Sequence, residues 1–246
     1  MTKPGRVIAV ASGKGGVGKT WLAVTLAHAL ALAGRPVLLM DGDLGLANAD
    51  VQLGLAPRHG LAEVLSGRMT LRDAAVAHPG GFHLLAGRSG SGALAGLPGA
   101  ALDAAVALPR QAAAEWPGVV VDLGAGLDAA TRRLAAGADL LLVVATEEPT
   151  SLTDAYAVLK LHAQDAPGGD ARLVVNMASG AAGAERTWRT LDTAARRFLG
   201  QGVRLAGFVR RDPRVAEAIR HQAPLLTRHP GSPAATDVTA LARALD

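Results

Sequence analysis

Residues 11–20 read ASGKGGVGKT, and this stretch decides the fold. The spacing G-x-x-x-x-G-K-[ST] falls on Gly13, Gly18, Lys19 and Thr20, the pattern of a loop that wraps a nucleotide phosphate. Ahead of it, VIAVAS (Val7 to Ser12) is a short, mostly apolar, β-branched run suited to a strand buried on both faces. Behind it, Leu22, Leu26, Ala29, Leu30 and Ala33 recur at helical spacing, and Gly34 supplies a stop. Strand, glycine loop and helix are the context the motif needs. Gly13, Gly15, Gly16 and Gly18 let backbone N–H groups approach phosphate oxygens, and the helix N-terminus adds the positive end of its dipole. Lys19 would then lie on the β- and γ-phosphates, and the Thr20 hydroxyl on Mg2+. Lys14 has no place in that scheme, so it asks for another role.

The rest of the composition fits such a loop. Half of the 246 residues are hydrophobic but only 3% are aromatic, so the core must be built from Ala, Val and Leu. That suits an α/β fold of the P-loop NTPase kind: a mostly parallel twisted sheet with helices on both faces, expected as a single domain over residues 1–246. No stretch reaches the ~18 consecutive apolar residues of a spanning helix, and MTKPGRV leads into the first strand without a signal-peptide core. A cytoplasmic location is expected. The absence of cysteine excludes disulfides, thiolate zinc sites and cysteine-held iron–sulfur clusters. Net charge is +4, and positive side chains are dense from Arg186 to Arg228, including Arg196, Arg197, Arg210, Arg211, Arg214 and Arg220. Two readings stay open there: a surface for DNA or anionic lipid, or a solvated helix face.

Two further strands carry carboxylates. RPVLLMDGD (Arg35 to Asp43) ends in Asp41 and Asp43, and GVVVDLGAGL (Gly118 to Leu127) is read as a strand ending at Asp122. Carboxylates at the C-terminal ends of parallel strands lie on the ligand edge of a sheet. Asp43 could position an attacking water, while Asp41 and Asp122 would hold waters on Mg2+. Gly60 to Ala77 suggests two short helices separated at Gly67, and FHLLAG a short strand. GRSGSGALAGLPG (Gly87 to Gly99) reads as a surface loop. DLLLVVATEEPTSLTDAYAVLK gives another strand and a helix capped at Thr150 or Ser151. RLVVNM ends a strand with Asn176, and a last strand precedes RRDPRV.

KGGVGKT resembles the deviant Walker A motif of the MinD/ParA ATPases, whose first lysine is the signature lysine. In that family two subunits meet face to face around two ATP molecules, and the signature lysine reaches the partner's phosphates; the resemblance implies this trans role for Lys14. DGDLGLANADVQLGL and EEPTSLTDAYAVLK are most similar to the flagellar-number branch, FlhG or FleN. The resemblance covers Arg6 to about Leu226. Cluster-carrying relatives are set aside because they need cysteines, and a tyrosine-rich autokinase tail is missing.

What the resemblance implies is ATP and Mg2+ as cofactors, a homodimer with ATP, and slow hydrolysis through Lys14, Lys19 and Asp43. The implied nucleotide contacts are Gly13, Lys14, Gly15, Gly16, Val17, Gly18, Lys19, Thr20, Trp21, Glu148, Asn176, Arg210 and Asp212, with Thr20, Asp41 and Asp122 at the metal. Asn176 would present its amide to adenine. Trp21 could stack on the nucleotide or pack in the helix interface, Asp212 could also be a helix cap, and Arg210 and Glu147 stand where the branch usually has proline. The implied function is a switch controlling flagellum number or placement. Its implied partners are the GTPase FlhF, a flagellar transcription regulator or basal-body proteins, with transient contact at the inner face of the membrane. The branch often carries an N-terminal extension that stimulates FlhF, and this sequence starts close to its first strand. Two alternatives stand beside this reading: a ParA-like partition ATPase on non-specific DNA, and an ATP sensor without turnover. The tail TDVTALARALD carries Val238, Leu241, Ala242 and Leu245 at helical spacing, as either a membrane-targeting helix or one packed on its own domain.

Overall fold

Strand β1 (Arg6–Ser12) turns Ile8 and Val10 to one apolar layer and Val7, Ala9 and Ala11 to the other. The two-residue period of a strand makes that division automatic, and the same alternation recurs in its neighbours. The computed structural model describes residues 5–43, 45–87 and 99–245. Among these, the strands that follow are β2 (Val37–Gly42), β3 (Val76–Ala77), β4 (His83–Leu85), β5 (Gly118–Ala125), β6 (Leu140–Ala145), β7 (Ala171–Ala178) and β8 (Arg204–Arg210). They form one sheet in the order β3-β4-β2-β5-β1-β6-β7-β8, and all pairs are parallel except β3 with β4.

On one face lie helices α1 (Lys19–Leu32) and α2 (Ala49–Leu53), and the C-terminal helices α9 (Pro213–Arg220), α10 (Leu225–Arg228) and α11 (Pro233–Ala244). The other face is covered by α3 (Leu61–Leu65), α4 (Leu71–Ala74), α5 (Gly99–Ala112), α6 (Ala129–Ala136), α7 (Pro149–Asp165) and α8 (Ala181–Leu199). The α/β architecture expected from the composition is the one observed. The loop after β1 leaves the sheet centre, between β5 and β6, where successive connections run to opposite sides. Crevices at such a reversal are where open parallel sheets hold ligands.

Several local expectations need correction. β5 does not stop at Asp122 but continues to Ala125, slipping past β1 through an irregularity between Val10 and Ser12. Helix α7 is not capped by Thr150 or Ser151: Glu148 is its N-cap residue, Pro149 follows, and Ser151 Oγ accepts from the Thr146 N–H at 3.0 Å. Proline in the first turn sacrifices no helical bond, which is why the helix starts there. The tail helix α11 packs on α1 and β8 with Val238, Leu241, Ala242 and Leu245 buried, so its apolar stripe is used inside the protein. Most of the segment read as a surface loop, residues 88–98, lies outside the described residues.

A candidate nucleotide site at the end of the first strand

The glycine loop is shaped by close approaches on both flanks and by openness at its centre. A Cβ on Gly13 would sit 2.5 Å from the Asp154 carbonyl oxygen, so α7 packs against bare backbone there. Gly18 adopts φ +82°, and a Cβ on it would lie 2.5 Å from Asn176 Nδ2. Gly16 also has positive φ, and a Cβ on Gly15 or Gly16 would meet nothing within 4 Å. Side chains are thus excluded where the loop is held and space remains over its middle.

Lys19 is buried and donates to Asp122 Oδ1 at 2.8 Å, and the nearby Thr20 hydroxyl helps hold the pKa of the same carboxylate down. Asp122 Oδ2 is buried without any partner among the described residues. Asp41 lies beside Asp122 in the register of β2 and β5, and its carboxylate accepts from the N–H groups of Asp43, Asn48 and Ala49. Burial, reinforced by the Asp122 charge, raises the Asp41 pKa to about 7 against the pull of those N–H donors. Burial also raises Asp122, opposed by Lys19. An orphaned carboxylate oxygen, a hydroxyl and a second buried carboxylate form a hard oxygen set that fits Mg2+ through its water shell.

Asp43 Oδ1 accepts from Gly45 and Leu46 N–H groups at 3.1 and 2.9 Å, which fixes the turn after β2 and leaves Oδ2 without a partner among the described residues. A Cβ on Gly124 would lie 3.5 Å from Asp43 Oδ1, so the segments after β2 and along β5 meet at that glycine.

Lys14 projects away from this cluster. Its Nζ donates to Glu148 Oε2 at 2.8 Å and Thr150 Oγ1 at 3.1 Å, both of its own chain, and the Lys14 hydrogen bond holds the Glu148 carboxyl below its usual range.

Other expected contacts are committed elsewhere. Asn176 is buried and donates from Nδ2 to the Val17 carbonyl at 2.7 Å, bracing the loop against the end of β7. The Trp21 ring is buried in the α1 core layer with Nε1 unpartnered, so it packs and does not stand open for stacking. Arg210 turns to α11, where its guanidinium and backbone N–H donate to Asp237. Asp212 caps α9 through the Arg214 N–H and also accepts from Ala234 at the start of α11. These two side chains tie the loop after β8 to the last helix.

Sequence reasoning missed three supports. Thr150 completes the seat of Lys14. Asp128 caps α6 through the Ala130 and Thr131 N–H groups and the Thr131 hydroxyl, a motif legible in LDAAT. Glu147 Oε1 accepts from the Ser179 N–H and hydroxyl, joining the ends of β6 and β7.

Fold and site together define a P-loop nucleotide-binding domain. Residues 8–225 match the CobQ/CobB/MinD/ParA nucleotide-binding domain, and the chain belongs to that family. Membership makes it a P-loop ATPase whose cofactors are ATP and Mg2+. The chain is similar to the antiactivator FleN of Pseudomonas aeruginosa, 37% identical over 99% of this chain and 87% of that protein. It is also similar to the flagellum site-determining protein YlxH of Helicobacter pylori, 35% identical over 65% of this chain and 54% of YlxH. Among solved structures, the cell division ATPase MinD of Pyrococcus furiosus superposes with TM-score 0.82 at 25% identity, over 98% of both chains. The MinD of Pyrococcus horikoshii complexed with Mg-ADP gives the same TM-score and identity, over 98% of this chain and 96% of that one.

Proposed function

We propose that this protein is an ATP-dependent dimerisation switch with slow hydrolysis that regulates flagellum number or placement. The observation that carries the switch is the division of labour between its two loop lysines. Lys19 is buried in the phosphate loop on Asp122, whereas Lys14 is turned outward onto Glu148 and Thr150. A cation held at the edge of the site can be offered to a second copy's phosphates without disturbing the loop that binds its own. The flagellar reading is supported by the likeness to FleN along nearly the whole chain and by that to YlxH.

Mg2+, when bound, would supply neutralisation of the charge on the phosphates during phosphoryl transfer. Thr20, Asp122 and Asp41 would hold the metal's oxygens and waters. Lys19 would leave Asp122 for phosphate, which frees both Asp122 oxygens. Asp43 would orient water through Oδ2 while Gly45 and Leu46 hold Oδ1 in place. Lys14 of a partner subunit would complete the charge set, so turnover would depend on assembly.

The partition reading has less support. Arg189, Arg196, Arg204, Arg210 and Arg228 are each paired with a carboxylate of this chain, which lowers the free charge available to DNA. No helix among the described residues is long and apolar enough to cross a membrane. The buried stripe of α11 leaves membrane contact to another element or to a partner.

The test is solution mass by light scattering with ADP and with ATP, on the intact protein and on Asp43→Ala, with phosphate release followed in parallel. ATP should convert monomer to dimer, and Asp43→Ala should trap the dimer and stop turnover. A mass that stays monomeric with ATP bound would overturn the trans role of Lys14 and favour an ATP sensor.

A further inference from the structure

Gln222 has φ +50°, and among the described residues it is one of two outside glycine with a positive φ. It stands just past α9 and its C-cap His221. There the Gln222 N–H donates to the Ile219 carbonyl and the Ala223 N–H to the Ala218 carbonyl, both at 3.0 Å. That pair of bonds closes a helix through one left-handed residue, a position where glycine is favoured because it has no Cβ to strain. A glutamine there strains the backbone, and such strain persists where the residue has a task.

The task lies across the gap to α2. Gln222 Nε2 donates to the Val51 carbonyl at 2.9 Å, a residue 171 positions earlier in the chain. The two turns also meet directly. Gly54, the C-cap of α2, has φ +64°, and a Cβ on it would lie 3.1 Å from Gln222 Cβ and 3.3 Å from the Gln222 carbonyl oxygen. At its other end α2 starts on Asp41, whose Oδ2 accepts from the Asn48 and Ala49 N–H groups at 2.9 Å each. A helix of five residues is too short to hold itself, so the grips at its two ends set where it lies. Gln52 adds no outside anchor, because its Nε2 donates back to Asn48. Helix α9 is itself fixed at its start, where Asp212 accepts from the Arg214 and Ala234 N–H groups.

We propose that Gln222 is a positioning residue of the ATPase. It holds α2 from the side of α9, so that the Asn48 and Ala49 N–H groups stay on Asp41 and that carboxylate keeps one orientation beside Asp122. A residue that only ended α9 would need no amide, and glycine would end the helix with less strain. Its effect on turnover rests on the metal role proposed above for Asp41; the seating of α2 does not.

The test compares the full chain with Gln222→Gly, Gln222→Glu and Gln222→Lys. Gln222→Gly removes the amide and relieves the backbone, so stability and positioning should part. Its melting temperature should hold or rise, while amide exchange of Asn48 and Ala49, followed by NMR without nucleotide, should quicken about tenfold, the worth of one hydrogen bond. Gln222→Glu, of equal size but with no donor, should quicken the same two amides. Gln222→Lys, which restores a donor for the Val51 carbonyl, should slow them again. At saturating ATP, the Mg2+ concentration for half-maximal turnover should rise in Gln222→Gly and Gln222→Glu and return toward the parent in Gln222→Lys. Unchanged exchange of both amides in Gln222→Gly would overturn the proposal, and so would exchange that quickens throughout the chain as the melting temperature falls. Quickened exchange of the two amides with an unmoved Mg2+ midpoint would uphold Gln222 as the support of α2 and overturn the metal role of Asp41 instead.

Discussion

Lys14 Nζ lies 2.8 Å from Glu148 Oε2 of its own chain, so the lysine proposed to act on a partner already has an acceptor at home. The pair is half open to water, where such contacts are weak and easily exchanged. A phosphate with several negative charges should therefore win the lysine. We expect Lys14→Ala to retain ATP binding, measured by calorimetry, while losing both the ATP-dependent dimer and turnover. Glu148→Gln should leave the melting temperature unchanged and shift the dimerisation midpoint. If Lys14→Ala still dimerises with ATP and turns it over at the parent rate, the lysine acts only within its own chain.

Asn176 braces the loop rather than standing free. Removing its amide strips a buried donor from the Val17 carbonyl, which has to be left unpaired or wetted. Leaving a buried polar group unsatisfied costs about 1–3 kcal/mol. Asn176→Ala should therefore lower unfolding stability by that order and weaken ADP as well as ATP, because the loop itself loosens. Equilibrium urea unfolding without nucleotide separates this from a role confined to the base. A variant of parental stability with weakened nucleotide binding would point to direct adenine contact alone.

The tail helix makes a third prediction. Leu241 is buried where α11 meets β8, and a Cβ on Gly207 of that strand would lie 3.3 Å from Leu241 Cδ1. Truncating a buried leucine of this kind costs about 2–5 kcal/mol. Leu241→Ala should destabilise the protein by that order and leave any sedimentation with phosphatidylglycerol vesicles unchanged. The reverse result, intact stability and lost vesicle binding, would return α11 to the membrane.

Most of the fold and the phosphate loop were legible because both rest on local signals. Val7 to Ser12, Gly13 to Thr20 and Val37 to Asp43 carry their periodicity and glycines within a few residues. What was not legible depends on elements distant in sequence. Thr150 and Glu148 reach Lys14 only because α7 returns to the loop after β1, and Asp237 claims Arg210 only once α11 lies on β8. The indole of Trp21 follows Thr20 in sequence, yet the turn of α1 carries it into the core. Adjacency along the chain suggested contact with nucleotide, and helical geometry removed it.

His28 of α1 gives the protein an acid-sensitive point outside the nucleotide site. It is buried against Phe82, at 5.8 Å between ring centroids, and His78 stacks on the same phenylalanine. Its Nδ1 has no partner among the described residues. Burial, assisted by His78, lowers its pKa to about 4, and burial lowers His78 as well. The folded state therefore binds fewer protons than the unfolded chain between these values. Stability from neutral His28 is complete above pH 6.5, falls as the pH drops, and is lost below the folded value of about 4. A shift of this size corresponds to about 3 kcal/mol at most. Denaturant unfolding from pH 7.5 to 4.5 should show the parent losing more stability with acid, or gaining less, than His28→Leu, because the raised carboxyls of Asp41 and Asp122 pull both curves the other way. The residual slope would contain His78 and the buried His162, whose pKa is also lowered by burial. Equal slopes in parent and His28→Leu would mean that His28 finds a proton acceptor when charged, and that this face of α1 opens without cost.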